Sequence, residues 1–335
     1  MSAPSDSTHA AQIKRTLLTF GPLVLALILE IVIFEMIGRR QDNPGFASLN
    51  TLILVLNQSA VYGVMAVGMT FVIITGGIDL SVGSLVACAG VLCAMFVHWG
   101  GGEQVWAWII IGWIAAVGLG MVAGSVAGLL ITWFSIPPFI ATLALMSSLR
   151  GLGNLATDGK PISPLPEAYN WLGRHPLWGQ VPVSVVLLLL ILAGGALLLN
   201  HTQFGRHVRA IGGNEESARL SGVNVMRVKW LVYVLCGMLT AVAGLILSSR
   251  LGSGSPKVGL GDELAVIAAV VVGGTSLSGG RGSIGGTFVG LLVVSVLNSG
   301  LTWIGVETFG QQVTLGVVIL AAVLLDQLKT RGSAF

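Results

Sequence analysis

Charge is what this 335-residue chain has least of: Asp, Glu, Lys and Arg make up 9% of it, against about 25% in a soluble protein. So few charges do not cover the surface of a water-soluble fold this long. That excludes a soluble enzyme, a disordered chain and a nucleic-acid-binding domain. Cysteine is scarce as well. Cys88, Cys93 and Cys236 all lie in apolar runs without metal-site spacing, and they read as small apolar residues of packed helices rather than a disulfide framework. No His/Cys/Asp/Glu cluster has ligand spacing and no nucleophile–base arrangement stands out, so neither a metal, a cofactor nor a catalytic residue is expected. What the chain has in abundance is apolar residues, 54%, and glycine, 47 residues. Mean hydropathy is +0.89. These values predict an all-α, polytopic transmembrane helical bundle, and the glycines suit close helix packing and broken helices.

Ten apolar runs are candidates for helices, at about 17–37, 49–75, 82–98, 105–134, 138–157, 181–200, 230–249, 262–277, 284–304 and 311–327. Residues 1–16 read as a polar N-terminal tail, 17–327 as the membrane domain and 328–335 as a C-terminal tail. The first run has no A-x-A-like cleavage site and is read as a retained helix. The fifth is interrupted by Arg150, Gly151, Gly153 and Asn154. The run at 105–134 exceeds one simple span, so it either tilts or ends in a short re-entrant piece near Pro137 and Pro138. A polar stretch covers 201–229. With an even helix count both termini lie on the cytoplasmic side, and Lys and Arg then favour the inner side by ten to seven.

Three segments are candidates for function. In Gly76-Gly77-Ile78-Asp79-Leu80-Ser81-Val82-Gly83-Ser84, two glycines end one apolar helix and Asp79 or Ser81 is placed to cap the next. Either this is a broken helix lining a solute path or gate, or it is a tight turn at the membrane surface. In 201–229, Asn214 is a good N-cap, Glu215 and Glu216 sit in the first turn, Arg219 follows and Gly222 is placed to stop the helix. A helix of about two turns is expected there, docking a cytosolic partner or resting on anionic headgroups with help from Arg206, Arg209, Arg227 and Lys229. The Gly-rich run 273–282 lacks the Gly-Lys-Ser/Thr ending of a nucleotide loop and reads as an inter-helix turn. Its flank Val270–Ser278 loosely echoes Val72–Ser81, which suggests an internal repeat.

Ionisable groups in apolar runs are expensive and often functional. Glu30 and Glu35 are such groups; Glu35 lies near Arg39 and Arg40, and Glu30 has no local partner in sequence. Asp262 and Glu263 read as caps of a helix start. Asn57, Gln58 and Asn298 are candidates for contacts with a polar solute, or for hydrogen bonds that join helices.

These segments together resemble the permease subunit of ribose-type sugar ABC importers. The resemblance rests on Gly76–Ser84, on Gly205-Arg206 through Ala210–Glu215 to Arg219–Val223, and on Ala268–Leu277 with the Gly-rich turn after it, and spans about 50–327. It implies a membrane channel in which two permease subunits pair, alike or similar. A cytosolic ATPase, which binds ATP and Mg, supplies energy, and an extracytoplasmic sugar-binding protein delivers substrate at the bacterial inner membrane. It also implies that Asn214, Glu215, Glu216, Ala218, Arg219 and Gly222 belong to the helix that contacts the ATPase. Glu216–Gly222 has the Glu-Ala-Ala-x-x-x-Gly spacing of such helices, with Ser217 at the second place and without the Ile-x-Leu-Pro that often follows. Gly76, Gly77, Asp79, Ser81, Asn57, Gln58, Thr275 and Asn298 are the candidates for the translocation path or gate. The rival readings are a branched-chain amino-acid permease of the same superfamily and an ion-coupled secondary transporter. Seven of the 31 charges lie between Arg206 and Lys229, where a soluble partner would dock.

Overall fold

The structure, a computed structural model, describes residues 6–43, 45–100, 104–177 and 179–332. Thirteen helices carry it: α1 (Asp6–Arg40), α2 (Leu49–Ile74), α3 (Val82–Trp99), α4 (Val105–Thr132), α5 (Pro138–Thr157), α6 (Trp171–Arg174), α7 (Val183–His201), α8 (Gln203–Gly213), α9 (Glu215–Leu220), α10 (Val225–Leu251), α11 (Asp262–Val272), α12 (Ile284–Trp303) and α13 (Thr308–Gly332). A two-residue hairpin, β1 (Pro176–Leu177) with β2 (Val181–Pro182), is the only sheet among the described residues. Eight helices are long and apolar enough to cross a membrane: α1 from Gly21, α2, α3, α4, α5, α7, α10 and α12.

The termini of these helices follow from their flanking residues. Ser48, Thr202 and Ser283 each accept, through the side chain, from a backbone N–H three residues on, which satisfies one of the free donors of a helix start. At the other ends α2, α9, α10 and α11 share one device. Gly76, Gly222, Gly252 and Gly274 take left-handed φ of 78°, 86°, 67° and 88°. In each, the glycine N–H donates back three residues and the next N–H donates back five, as in a Schellman cap.

Helix α10 is the axis of the bundle. Of its apolar span 72% is buried, as in α3, against 11% for α1, which lies at the periphery. It packs between α2, α3 and α4, and the α4 contact is made at small residues. A Cβ on Gly120 would run into the Gly237 carbonyl, and one on Gly124 into the Tyr233 carbonyl. Without water to drive apolar surfaces together, such close backbone approach is what dispersion can use.

All ten apolar runs are helical, but two differ from a simple span. The run at 262–277 holds α11, which is only 11 residues long. The preceding segment 252–261 completes its crossing. At its start, Arg250 Nη1 donates to the Asn57 carbonyl (3.1 Å), in the Leu49 half of α2. Beyond α11, Gly280 N–H donates to the Ile74 carbonyl (2.9 Å), at the opposite end of α2. The chain thus makes this crossing half as loop and half as helix. The last run lies in α13, whose described apolar part is Thr308–Leu324.

Three further expectations change. Arg150, Gly151, Gly153 and Asn154 do not interrupt α5, because Arg150 turns its guanidinium onto another segment while its backbone stays helical. The 105–134 run is a single helix that stops at Thr132, before the Pro137-Pro138 pair, with no re-entrant piece. The stretch 201–229 holds two helices, α8 and α9, where one was expected. Helix α1 begins within the expected N-terminal tail and α13 runs into the expected C-terminal one; residues 1–5 and 333–335 lie outside the described residues.

The α4–α10 contact is testable within one helix. Gly120→Leu is expected to cost about 1–3 kcal/mol through overpacking, read as a lower unfolding midpoint of the detergent-purified chain. Gly118→Leu, where a Cβ meets nothing within 4 Å, is expected to leave the midpoint in place.

Candidate functional site

The bundle presents one polar elbow and two interior breaks. The elbow is α8–α9. Asn214 Oδ1 accepts from Ser217 N–H (2.8 Å), so it caps α9 as its residue type requires. Glu215 and Glu216 sit in the first turn. Glu215 takes Lys229 Nζ at 2.6 Å, which ties α9 to the first turns of α10. Glu216 takes Arg219 through Nε (2.9 Å) and Nη2 (2.6 Å). That guanidinium holds the Glu216 carboxyl below the usual carboxylate range, and the carboxylate raises Arg219 in turn. Ala218 is buried while Glu215, Glu216, Arg219 and Leu220 are exposed. Gly222 ends the helix in its left-handed cap. The helix is six residues long, shorter than the two turns expected.

The first break joins α2 to α3. Gly76 carries the cap of α2, and a Cβ on Gly77 would strike the Tyr233 hydroxyl of α10. Asp79 is 1% exposed. Its Oδ1 accepts from Ser81 N–H (2.9 Å) and Ser81 Oγ (2.6 Å), closing an Asx turn. Ser81 occupies the N-cap position of α3 without a side-chain cap bond; Asp79 supplies the local acceptor instead. Within this turn Gly77, Asp79 and Ser81 are buried, while Gly76 is exposed and Ile78 and Leu80 are partly exposed.

The second break, 273–283, leads from α11 to α12 and lies against the first. Gly280 reaches the Ile74 carbonyl, and a Cβ on Gly282 would meet both Ile74 and Thr275. Thr275 is buried, and its Oγ1 has no hydrogen-bond partner among the described residues. The echo between the two segments has a geometric counterpart, since Gly76 and Gly274 carry the same cap. The match is one residue off the alignment of the paired glycines in sequence.

The remaining path candidates are not gathered with these. Asn57 Oδ1 accepts from Ser184 Oγ of α7 (2.7 Å). Gln58 Oε1 accepts from Ser299 Oγ of α12 (3.2 Å), and the Asn298 carbonyl accepts from Thr302 Oγ1 (3.0 Å). Gln58 thus joins α2 to α12, while the bond at Asn298 stays within α12. Glu35 pairs with Arg39 (2.8 Å) and accepts from Gly45 and Ala47 N–H groups, so it anchors the α1–α2 loop. Glu30 keeps one carboxylate oxygen buried and without a partner among the described residues.

The sequence reading missed the loop half of the composite crossing. Arg150 Nη1 donates to the carbonyls of Pro256 (2.8 Å) and Val258 (2.6 Å), and Nη2 to Gly259 (3.2 Å). Asp262 does not cap α11; Gly261 holds the N-cap position, and Asp262 Oδ1 accepts from the Tyr62 hydroxyl (3.3 Å). A Cβ on Gly83 would strike the Glu263 carboxylate, so the first turns of α3 and α11 meet. The one available signal was Arg150 itself, a charge in an apolar run.

Eight apolar helices of membrane-spanning length, interior backbone breaks and a charged elbow at one end define a multi-pass helical membrane protein of the transporter type. The chain belongs to the family described as the branched-chain amino acid transport system / permease component, which matches residues 51–325. It is 46% identical over 312 residues to the ribose import permease protein RbsC of Bacillus subtilis (strain 168), covering 92% of this chain and 93% of that one. The ribose import permease protein RbsC of Escherichia coli (strain K12) is 42% identical over 311 residues, 91% of this chain and 93% of that one. The L-arabinose transport system permease protein AraH of the same strain is 40% identical over 286 residues, 85% of this chain and 84% of that one. No solved structure matches the chain.

The buried Asp79–Ser81 pair gives a direct expectation. Asp79→Ala strands two buried donors of Ser81 and is expected to cost about 1–3 kcal/mol. Asp79→Asn keeps an acceptor oxygen and is expected to recover most of that loss, read from unfolding midpoints of the purified chain.

Proposed function

We propose that this chain is the membrane permease of an ATP-driven importer for a monosaccharide or related polyol. The observation that carries the reading is identity of 42–46% with two ribose import permeases over more than nine-tenths of each chain. The L-arabinose transport system permease among the relatives supports sugar as the class rather than ribose alone. The family description includes amino-acid permeases, but the Gly76–Ser84 segment and these relatives favour sugar. The chain hydrolyses no ATP in this reading; ATP and Mg sit in a cytosolic ATPase, and a second permease subunit and an extracytoplasmic binding protein complete the importer in a bacterial inner membrane.

Within it, α9 is the docking helix. Its buried Ala218 faces the bundle while Glu216 and Arg219 stand in solvent, and the Lys229 bridge makes α9 move with the start of α10. Because α10 is the bundle axis, a rigid-body push on α9 reaches the helices around it. Closure of the ATPases would so open the path outward, and relaxation would return it. The two breaks at 75–81 and 273–283 meet at this same end and are candidates for the gate.

Co-expression with the ATPase and binding protein tests the docking role. Valine at position 222 must adopt a left-handed backbone, which costs about 1–2 kcal/mol. Gly222→Val and Glu216→Ala are expected to reduce ATPase co-purification and D-ribose or L-arabinose uptake together, with the amount of permease in the membrane unchanged. Unchanged co-purification and uptake in both variants would remove α9 from the interface.

A further inference from the structure

The composite crossing carries a polar cluster that the docking helix and the gate do not use. Tyr62 lies midway along α2, where an apolar helix has least reason to hold a polar tip. Its hydroxyl donates to Asp262 Oδ1 (3.3 Å) at the start of α11. Arg250, from the end of α10, donates to the Asn57 carbonyl (3.1 Å) and lies near the Tyr62 hydroxyl and the Asp262 carboxylate. Asn57, Tyr62, Arg250 and Asp262 each remain partly exposed. Three elements therefore converge on one partly accessible patch of donors and acceptors within the bundle.

The backbone beside the patch is not free to collapse onto it. Arg150 donates to three carbonyls of 256–259, those of Pro256, Val258 and Gly259, from the side of α5, and Gly254 pairs with Ile162 through both backbone bonds (2.8 and 3.1 Å). Non-helical backbone at membrane depth survives only where protein holds it or where it lines a wet cavity. Here protein holds one side, and on the other Tyr62, Arg250 and Asp262 keep part of their surface accessible.

We propose that Tyr62, Arg250 and Asp262 form a binding site for a polyhydroxylated solute on its way through the chain, with Arg150 as a positioning residue that fixes the segment beside it. The chemistry fits neighbouring hydroxyls. A carboxylate accepts from two vicinal O–H groups, a guanidinium donates to their oxygens, and a tyrosine edge contributes both a donor and an apolar flank. The single Tyr62–Asp262 bond at 3.3 Å leaves acceptor capacity on Asp262 for a ligand hydroxyl. This assignment rests on the sugar-import reading above.

The test uses the full importer, permease with ATPase and binding protein, reconstituted in liposomes with D-ribose and L-arabinose as probes. Asp262→Asn and Tyr62→Phe are expected to lower uptake at least fivefold and to change the ribose-to-arabinose ratio at least threefold. Binding-protein-stimulated ATP hydrolysis should stay within twofold of the parent. Uptake and ratio within twofold of the parent in both variants overturn the site. Loss of uptake, ATP hydrolysis and thermal stability together, with the ratio unchanged, also overturns it, since that is the signature of a merely structural cluster. A parent importer that moves neither sugar overturns the sugar reading itself, and with it the assignment of this site to sugars; docking of the ATPase on α9 would be untouched by that result.

Discussion

Every backbone N–H and C=O placed inside a membrane has to find its partner within the protein, and this constraint organises the bundle. Unbroken helices meet it without help. The chain nevertheless leaves helical geometry at 75–81, 252–261 and 273–283, and each departure is met by a specific device. Left-handed glycines fold the last carbonyls of α2, α10 and α11 back onto the next N–H groups. Asp79 closes the first break on Ser81, the Ile74 carbonyl receives Gly280 across the two breaks, and Arg150 gathers three carbonyls of the third. Bringing an Arg into an apolar helix is costly. Replacing water at three carbonyls with charge-assisted donors offsets that cost.

The same constraint connects fold to function. A bundle without breaks is stable but offers a polar solute nothing to bind and nothing to move. Here the breaks fall at two levels. Those at 75–81 and 273–283 adjoin each other and sit near the α8–α9 elbow, since a Cβ on Gly212 of α8 would strike the Ile74 carbonyl. The break at 252–261 starts towards the opposite end, where Arg250 meets Asn57, and descends to Tyr62 and Asp262 midway along α2, with Gly259 against Gly83 of α3. In the proposed importer the first pair is where a push from the ATPase arrives, and the second is where a solute meets side chains. Helix α10 passes both levels, with Tyr233 against Gly77 at one and Arg250 against Asn57 at the other.

Much of this was legible in the sequence, and the reasons are physical. Apolar runs mark helices directly, and all ten did. Caps are local chemistry, so Asn214 and Gly222 could be placed from residue type and spacing alone. The loose echo between Val72–Ser81 and Val270–Ser278 includes glycine in both segments because a left-handed cap favours it. What was hidden depends on partners distant in sequence. Arg150 looked like an interruption of α5 because its carbonyl partners lie more than a hundred residues on. Asp262 looked like a cap because nothing local announced Tyr62. The scattered path candidates illustrate the converse: Gln58 and Asn57 are polar residues in apolar helices, yet each has a partner on a neighbouring helix that sequence cannot show.

Amide hydrogen exchange of the chain in lipid nanodiscs tests the governing constraint most directly. If protein contacts satisfy the broken backbone, peptides covering 252–261 are protected in the parent. Arg150→Met then speeds their exchange at least tenfold, while peptides of α10 on the far side of the bundle keep their rates. Equal exchange of 252–261 in parent and variant would contradict the account, because the segment would then be held by something other than the Arg150 clamp.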